Sequence, residues 1–408
     1  MNWNIFKRAP RRIHLDFAST TPVHPSVFVA MEPYFSHVWA NPSALYKEGV
    51  TARAVIDNAR TELAQVLRVR AEDVTFTSGG TEANNLALIG VVEAYQKKGT
   101  QYEEMEIITT RMEHPSILET LAYLASRGVV VKYAEVNTEG LIEVSSFEKL
   151  LTTKTILCTF AYVNSEIGVI QDIKKITRIV RKWNETHGVR VYVHTDASQA
   201  PLWLPCALDA LGADLMTLDA GKCYGPKGVG VLVHRHWVEL APASFGGGQE
   251  SGLRSGTENT PLIVGCVRAI VRAQKSWQSR SEAVAMLRDR FIALLCEAIP
   301  ESIVNGSIAS RVANNVNISI PELDTEYAVI WLDARGVAAS TRSACGGDDG
   351  MGSHVVREMT KDDARSMSTI RFTLGEETTV RDISYAVQVL KEHVVFVRES
   401  NVSAIEKI

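Results

Sequence analysis

The sequence predicts an α/β protein with a large domain, in which helices cover a mostly parallel sheet of the seven-stranded type. In the first two thirds of the chain, short apolar runs alternate with longer stretches of helical periodicity, which indicates β-helix-β units. The apolar runs end in polar residues, and ligands bind parallel sheets at the carboxyl ends of the strands. After GGGQESGLRSGTENT the pattern changes, and a smaller α+β domain is predicted.

The predicted elements follow one another regularly. Strands are predicted in DVTFTSGG, MEIITTRMEH, TILCTFAYVNSEIG, VRVYVHTDASQ, ADLMTLDAGK and GVGVLVHR. Helices are predicted in TEANNLALIGVVEAYQKKG, ILETLAYLASRG, DIKKITRIVRKWNETHG and SEAVAMLRDRFIALLCEAIP. We expect a boundary near residue 265, which gives a large domain of residues 13–265 and a small one of residues 266–408, with residues 1–12 packed against the latter.

Length, charge and cysteine content narrow the possible classes of protein. A chain of 408 residues exceeds what one core usually serves, and its net charge of -4 argues against general nucleic-acid binding. The apolar runs are short and broken by charges, so we expect no membrane span. No apolar stretch follows the cationic N-terminus, so we expect no secretory signal. A cytoplasmic protein is therefore expected. The six cysteines are scattered without a CxxC pair, so no metal site and no disulfide framework are predicted.

Lys222 lies in LDAGKCYGPKG, among small and apolar neighbours directly after a predicted strand. A loop lysine is usually a solvated cation, but this segment is expected to be mostly buried. Desolvation lowers the pKa of a lysine ammonium, and the neutral amine can then form an imine with an aldehyde. Pyridoxal phosphate is an aldehyde cofactor held in this way, and it also requires an anion near its ring nitrogen and donors around its phosphate.

The sequence offers both kinds of group. Asp196 follows the strand VRVYV and could hold a pyridinium proton, although a turn or helix N-cap aspartate fits the local sequence equally well. Gly79, Gly80 and Thr81 lie where a strand turns into a helix, whose N–H groups and dipole favour a phosphate; a plain glycine-rich connection is the alternative. His114 could present an aromatic face at another strand end, but a lone histidine is more often part of the core.

Taken together, these segments resemble the cysteine desulfurase family of pyridoxal-phosphate enzymes, which have fold type I and belong to aminotransferase class V. The resemblance runs nearly end to end, through HLDFASTTPVHPSV, ANPSALYKEG, TSGGTEANNLA, MEHPSILE, VNSEIGVIQDI, HTDASQ, KCYGPKGVGVL, GGGQESGLRSGTENT, RSACGG and STIRFTLGEETT. It implies a homodimer that takes sulfur from L-cysteine as an enzyme persulfide and leaves L-alanine. The sulfur would pass to an acceptor or scaffold protein for iron–sulfur cluster assembly or thiolation.

The resemblance also implies roles for individual residues. At the ring of the cofactor, it assigns Lys222 to the Schiff base, Asp196 to the ring nitrogen, Gln199 to the ring oxygen, and His114 to stacking and proton movement. Gly80 and Thr81 would bind the phosphate, and Thr257 would bind the phosphate of the neighbouring subunit. Arg371 and Asn41 would bind the substrate. Without the resemblance, an arginine in a strand-like segment is most often part of a surface ion pair.

Cys345 matches the position that accepts the sulfur. The sequence GGDDGMG after it is too rich in glycine for a stable helix or strand, so we expect a mobile carrier loop. Asp348 and Asp349 would raise the pKa of a nearby thiol, whereas Arg342 would lower it. A buried structural role for Cys345 is the alternative.

Three residues depart from the pattern of the family. Asp219 and Gly221 stand where it has a phosphate-binding serine and a histidine, and Ser165 replaces an asparagine that contacts cofactor and substrate. A carboxylate ~4 Å from a phosphate charge, at an effective dielectric constant of ~20, costs about 4 kcal/mol per charge pair before solvent and salt reduce it. The three departures therefore bear on cofactor affinity and on the rate, and not on the fold.

Three functions are compatible with this pattern. The first is a working cysteine desulfurase with an altered phosphate pocket. The second is a related pyridoxal-phosphate lyase or aminotransferase that acts on another amino acid or on selenocysteine. The third is a non-catalytic relative that keeps the dimeric scaffold and binds the cofactor poorly. Lys222 and Cys345 favour the first function, because a scaffold needs neither residue.

Overall fold

The structure is a computed structural model that describes residues 12–341 and 352–405. Its strands are β1 (Ile13–His14), β2 (Val74–Thr77), β3 (Glu106–Thr109), β4 (Val130–Tyr133), β5 (Thr155–Ala161), β6 (Tyr192–Asp196), β7 (Leu215–Asp219), β8 (Gly230–His234), β9 (Ile303–Val304), β10 (Asn315–Ser319), β11 (Val337–Ala338) and β12 (Thr369–Thr373).

The helices are distributed over the whole described chain. They are α1 (Pro25–Met31), α2 (Pro33–Ser36), α3 (Lys47–Leu67), α4 (Gly80–Lys97), α5 (Pro115–Ser126), α6 (Val144–Leu150), α7 (Ile173–His187), α8 (Leu208–Leu211), α9 (Thr260–Lys275), α10 (Trp277–Ala298), α11 (Thr325–Ala334), α12 (His354–Thr360), α13 (Asp363–Met367) and α14 (Val380–Ile405). No helix among the described residues is both long enough and apolar enough to cross a bilayer.

The large sheet has seven strands in the order β2-β8-β7-β6-β5-β3-β4. Its neighbours pair in parallel from β7 to β4, whereas β8 runs antiparallel to both β7 and β2. The predicted α/β fold with a mostly parallel seven-stranded sheet is therefore confirmed. The sequence analysis missed β4, which lies at the edge of the sheet and is only partly buried, so it lacks the strong apolar signal of a central strand.

Burial on both faces explains the apolar composition of the central strands. Successive residues of a strand point to opposite faces, and Leu215 and Met216 of β7 accordingly belong to different hydrophobic clusters. The same alternation separates Leu157 from Cys158 in β5. Both faces are thus filled by apolar side chains, and polar groups remain mainly at the strand ends.

The C-terminal part of the chain forms a three-stranded antiparallel sheet in the order β12-β10-β9. Strand β1, near the N-terminus, pairs in parallel with β11, and Arg12 forms an ion pair with Asp333. The division into residues 13–265 and 266–408 stays a prediction. Helix α9 runs across residue 265 and packs against α1 and α3. Residues 1–11 lie outside the described part of the chain.

Pairing with β12 fixes the segment that follows β1. Asp16 forms an isolated bridge with Thr373, and the amide of Ala18 donates to the Thr373 hydroxyl over 2.9 Å. These contacts place the residues after β1 at the carboxyl edge of the large sheet. Elements that are far apart in the sequence therefore meet at that edge.

Candidate active site

A cavity of about 220 Å³ opens at the carboxyl edge of the large sheet. It is lined at the ends of β3, β5, β6 and β7 and at the start of α4. Nine of the predicted site residues line it: Gly80, Thr81, His114, Ser165, Asp196, Gln199, Asp219, Lys222 and Arg371. The prediction that the polar tails of the strands converge is confirmed by this arrangement, while the role of each residue stays a prediction.

Lys222 ends the single helical turn Ala220–Lys222, which directly follows β7. Its side chain is partly buried and lines the cavity rather than facing bulk solvent. The Nζ atom donates to the carbonyl oxygens of Ala18 over 3.0 Å and of Ser19 over 2.6 Å. The amine is therefore positioned by the backbone that follows β1.

Asp196 is the last residue of β6, as predicted. Its Oδ1 atom accepts from the amide of Ser198 over 2.9 Å, and its Oδ2 atom accepts from Nδ2 of Asn84 over 2.8 Å. One carboxylate oxygen thus stabilises the turn, and the other is held by a side chain of α4. Gln199 lies one turn further on and donates from Nε2 to the carbonyl of Ala18 over 2.9 Å.

His114 is the N-cap of α5 and reaches the same cavity. Its Nδ1 atom accepts from the amide of Ser116 over 3.1 Å, so in the neutral ring the proton resides on Nε2. Burial lowers the pKa of His114, the nearby Asp196 carboxylate opposes this, and Lys222 adds to it. The imidazole is consequently neutral at pH 7, whereas a solvated histidine would be partly charged.

Arg371 lies on β12 and is only 1% exposed. Its Nη2 atom donates to Oδ1 of Asp16 over 2.7 Å and to the hydroxyl of Ser19 over 2.9 Å, and Nη1 donates to the carbonyl of Ser165 over 3.0 Å. The Nε atom is buried without a hydrogen-bond partner. The arginine is thus in a buried ion pair at the cavity, not in the surface pair that the local sequence alone favours.

The corner at the start of α4 already contains a negative group. Oδ2 of Asp219 accepts from the amide of Gly80 over 3.1 Å, and Oδ1 accepts from the amide of Gly221 over 2.8 Å. A Cβ atom on Gly80 would lie only 3.0 Å from the Ser198 hydroxyl oxygen and 3.2 Å from Oδ2 of Asp219. Only glycine therefore fits this corner without displacing a neighbour.

Four predicted residues are not among those lining the cavity. Asn41 is exposed, and its Oδ1 atom accepts from the amide of Ser43 over 2.9 Å. Thr257 is also exposed. Gly221 is buried behind the lining, where its amide bonds to Asp219. Cys345 and the loop predicted around it lie outside the described residues.

Asn84 and Asp16 make polar contacts at the site and were not predicted from the sequence. Asn84 follows Gly80 and Thr81 at helical spacing on α4, and this periodicity could have identified it. Besides Asp196, Asn84 contacts the Ser116 hydroxyl over 2.9 Å, and its Oδ1 atom is buried without a partner. Asp16 gave no comparable signal, because its contact with Arg371 depends on the pairing of distant strands.

Glu113 is a buried acid directly before His114. Its carboxyl accepts from the amide of Ala161 over 2.8 Å and hydrogen-bonds the Thr110 hydroxyl over 2.7 Å. Burial raises the pKa of Glu113 to about 8, an effect that the two hydrogen bonds oppose and the Asp196 charge assists. The side chain is therefore protonated at neutral pH and connects the ends of β3 and β5.

A mostly parallel seven-stranded sheet, with a lysine just after β7 and an aspartate at the end of β6 in one cavity, is the arrangement that the resemblance to the fold type I class of pyridoxal-phosphate enzymes implies. The family profile "Aminotransferase class-V" matches residues 13–385. The chain is 36% identical over 381 residues to "Cysteine desulfurase IscS" of Dictyoglomus turgidum (93% of this chain, 94% of the relative). It is 37% identical over 390 residues to the protein of that name from Methylococcus capsulatus (95% and 93%).

Solved structures agree with these relatives. A structure titled "NIFS-LIKE PROTEIN" superposes with a TM-score of 0.87 at 31% identity, covering 95% of this chain and all of that one. The chain therefore belongs to the aminotransferase class-V family, with relatives that are named cysteine desulfurases, and the predicted resemblance is confirmed. Enzymes of this family use pyridoxal phosphate.

Glu113→Gln should remove part of the pH dependence of stability. Between pH 4.5 and about 8, Glu113 keeps its proton in the folded protein but has lost it in the unfolded chain. The free energy of unfolding of the wild type therefore falls as the pH rises through this range, by on the order of a few kcal/mol. A glutamine stays neutral and can still accept from Ala161. Urea unfolding at pH 5, 7 and 8 measures the effect, with the exposed Glu119→Gln as control; parallel pH dependences in wild type and Glu113→Gln would contradict it.

Proposed function

We propose that this protein is a cysteine desulfurase that converts L-cysteine to L-alanine and transfers the sulfur, through a persulfide on Cys345, to an acceptor protein. The observation that carries the proposal is the convergence of Lys222, Asp196, His114 and Arg371 on one cavity. Relatives at 36% and 37% identity over more than nine tenths of the chain carry the same activity in their names. Delivery to iron–sulfur cluster assembly or thiolation, and a cytoplasmic location, stay predictions.

Pyridoxal phosphate is the cofactor that we propose for the cavity. The amine of Lys222, the carboxylate of Asp196 and the neutral imidazole of His114 fit its aldehyde and ring end. When bound, this cofactor supplies an electron-withdrawing ring that stabilises negative charge on the α-carbon of an amino acid. At the phosphate end, Gly80 and Thr81 offer donors, but the carboxylate of Asp219 already occupies part of that corner.

Each side chain has a chemical task that its contacts support. The guanidinium of Arg371 is the group that we propose for the substrate carboxylate, since planar N–H pairs bind carboxylates well. Asn84 and the Ser198 amide orient Asp196, so that its carboxylate can hold a proton on a ring nitrogen. His114 is neutral and carries its proton on Nε2, which suits a group that exchanges protons within the cavity.

The sulfur step requires an accessible thiolate. In that step the Cβ–S bond of L-cysteine breaks, an S–S bond to the enzyme thiolate forms, and Cβ takes a proton to become the methyl group of alanine. Burial raises the thiol pKa of four described cysteines and makes them unsuitable: Cys158, Cys206, Cys223 and Cys266. Cys296, on α10, is partly exposed, so burial does not decide between it and Cys345, and the motif RSACGG is what supports Cys345 as the acceptor.

A second copy of the chain is the partner that we propose for the site. Large apolar side chains are exposed between residues 28 and 50: Phe28, Val29, Phe35, Trp39, Leu45, Tyr46 and Val50. Exposed apolar surface of this kind is typical of subunit interfaces. Thr257, which we assign to the phosphate of the neighbouring subunit, is exposed and available for such a contact.

Lys222→Ala should abolish both cofactor attachment and turnover, because it removes the amine that joins the aldehyde. Absorbance spectra of the protein mixed with pyridoxal phosphate, followed by assays of alanine and sulfide, measure the two effects. Lys227→Arg is the matched control, since Lys227 lies five residues away and donates to the Thr21 carbonyl. A spectrum of attached cofactor in Lys222→Ala would assign attachment to another lysine. A colourless wild type would favour the scaffold alternative.

Cys345→Ser should still bind L-cysteine, seen as a spectral change on its addition, but should form no persulfide and no sulfide. Cys296→Ser, at a partly exposed position elsewhere in the chain, should behave as the wild type. Persulfide labelling and alanine assays with L-cysteine, L-selenocysteine and other amino acids also separate this activity from that of a related lyase. Unchanged sulfide release by Cys345→Ser would place the nucleophile elsewhere.

The protein should be a dimer in solution, with twice the chain mass of 44.9 kDa. Light scattering after size-exclusion chromatography measures this mass.

Thr257→Ala should keep the dimer mass and weaken pyridoxal-phosphate binding, because it removes a hydroxyl donor. Trp39→Asp should favour the monomer. A monomeric wild type, or unchanged cofactor affinity in Thr257→Ala, would contradict the shared site.

A further inference from the structure

We propose that Asp219 is a specificity-determining residue that competes with the phosphate of the cofactor and so makes this site unusually tolerant of unphosphorylated pyridoxal. The inference rests on the proposed function and deepens it, because it names a property of the cofactor site of this chain. Its basis is the position of one carboxylate at the corner where α4 begins.

The carboxylate of Asp219 uses the donors that a phosphate would need there. One oxygen accepts from the amide of Gly80, at the start of the 18-residue helix α4, over 3.1 Å. The other accepts from the amide of Gly221 over 2.8 Å. Backbone amides at a helix start attract anions, and here the chain supplies its own anion.

The backbone holds Asp219 in this corner. It is the last residue of β7 and pairs with Gly230 of β8, so its main chain is fixed by the sheet. It is also the N-cap of the turn Ala220–Lys222, and its bond to the Gly221 amide shapes the turn that carries Lys222. Only rotation of the side chain can remove the carboxylate, and this rotation would break both hydrogen bonds.

The two forms of the cofactor differ at the group that would enter this corner. A phosphate dianion is repelled by the carboxylate and cannot donate to it. Pyridoxal has a hydroxyl group at that position, which carries no charge and can donate a hydrogen bond to a carboxylate. The carboxylate of Asp219 therefore opposes the phosphorylated form and accepts the unphosphorylated one.

The same residue should stabilise the chain without cofactor. The amides of Gly80 and Gly221 both have a partner in the Asp219 carboxylate, and buried N–H groups without partners are destabilising. Replacement of Asp219 should therefore have opposite effects in the two states. It should lower the melting temperature of the cofactor-free protein and increase the shift that pyridoxal phosphate produces.

The test is a comparison of dissociation constants for pyridoxal phosphate and pyridoxal, measured by absorbance titration of the full-length protein. The proteins are the wild type, Asp219→Ser, Asp219→Asn and Glu82→Gln, each with a Lys222→Ala counterpart as blank. Glu82 is a suitable control because it is also in the first turn of α4, bonds the Ser78 amide over 2.7 Å, and does not line the cavity.

Both Asp219 variants should bind pyridoxal phosphate roughly ten- to a hundredfold more tightly than the wild type, since a like charge is removed. Affinity for pyridoxal should stay equal or fall, and Glu82→Gln should change the ratio of the two constants little. Circular dichroism and the melting temperatures of the cofactor-free proteins verify that each variant is folded.

The inference would be overturned, and the proposed function left intact, by one result. In that result the wild type binds both aldehydes at Lys222, and the ratio of the dissociation constants for pyridoxal phosphate and pyridoxal is the same in both Asp219 variants as in the wild type. If the wild type binds neither aldehyde but the variants bind pyridoxal phosphate, the competition between Asp219 and the phosphate stands, whereas the tolerance of pyridoxal and the proposed function of the natural chain are both overturned. If no protein of the set binds either aldehyde, both are overturned.

Discussion

The parallel pairing of β6 with β7 is the constraint on which the rest of the site depends. His194 pairs with Leu215 and Asp196 with Thr217, and the amide of Ala197 donates to the Thr217 carbonyl over 2.9 Å. This register places the turn after β7, and so Lys222, beside the carboxylate that ends β6. A slip by one residue would turn the side chains of the strand to the opposite face of the sheet. The apolar residues on both faces oppose such a slip.

The segment after β1 completes the cavity from the opposite end of the chain. It provides the carbonyls that bind Nζ of Lys222 and the carboxylate that pairs with Arg371. A buried arginine that loses its partner is strongly destabilising, so Asp16 helps to keep a cation inside the protein. The contact joins residues that are 355 positions apart, so this side of the cavity depends on contacts between segments near the two ends of the chain.

Much of the site was predictable, because a parallel sheet brings the carboxyl ends of its strands together whatever their order. Gly80, His114, Asp196 and Lys222 each follow a strand in the sequence, and each lines the cavity. Asp16 could not be found in this way, since its position depends on the β1–β11 and β12 pairings. The conflict between an aspartate at position 219 and a phosphate was also predictable, from the resemblance to the family. The amides that the carboxylate bonds, those of Gly80 and Gly221, are determined by the tertiary structure and not by a local sequence pattern.

The charges around the cavity explain why cofactor affinity, rather than the chemistry, is the property expected to differ. Among the described residues at the cavity, the carboxylates are Asp16, Asp196 and Asp219, and the cations are Lys222 and Arg371. Burial keeps His114 neutral and Glu113 protonated near pH 7. The phosphate dianion of the proposed cofactor would add to this negative excess at the corner where Asp219 lies. The carboxylate of Asp219 bonds the backbone amides of Gly80 and Gly221, and within the described chain it bonds none of the side chains proposed to hold the ring or the substrate. The proposed weaker affinity for the phosphorylated cofactor is therefore compatible with retention of the reactive groups Lys222 and Asp196.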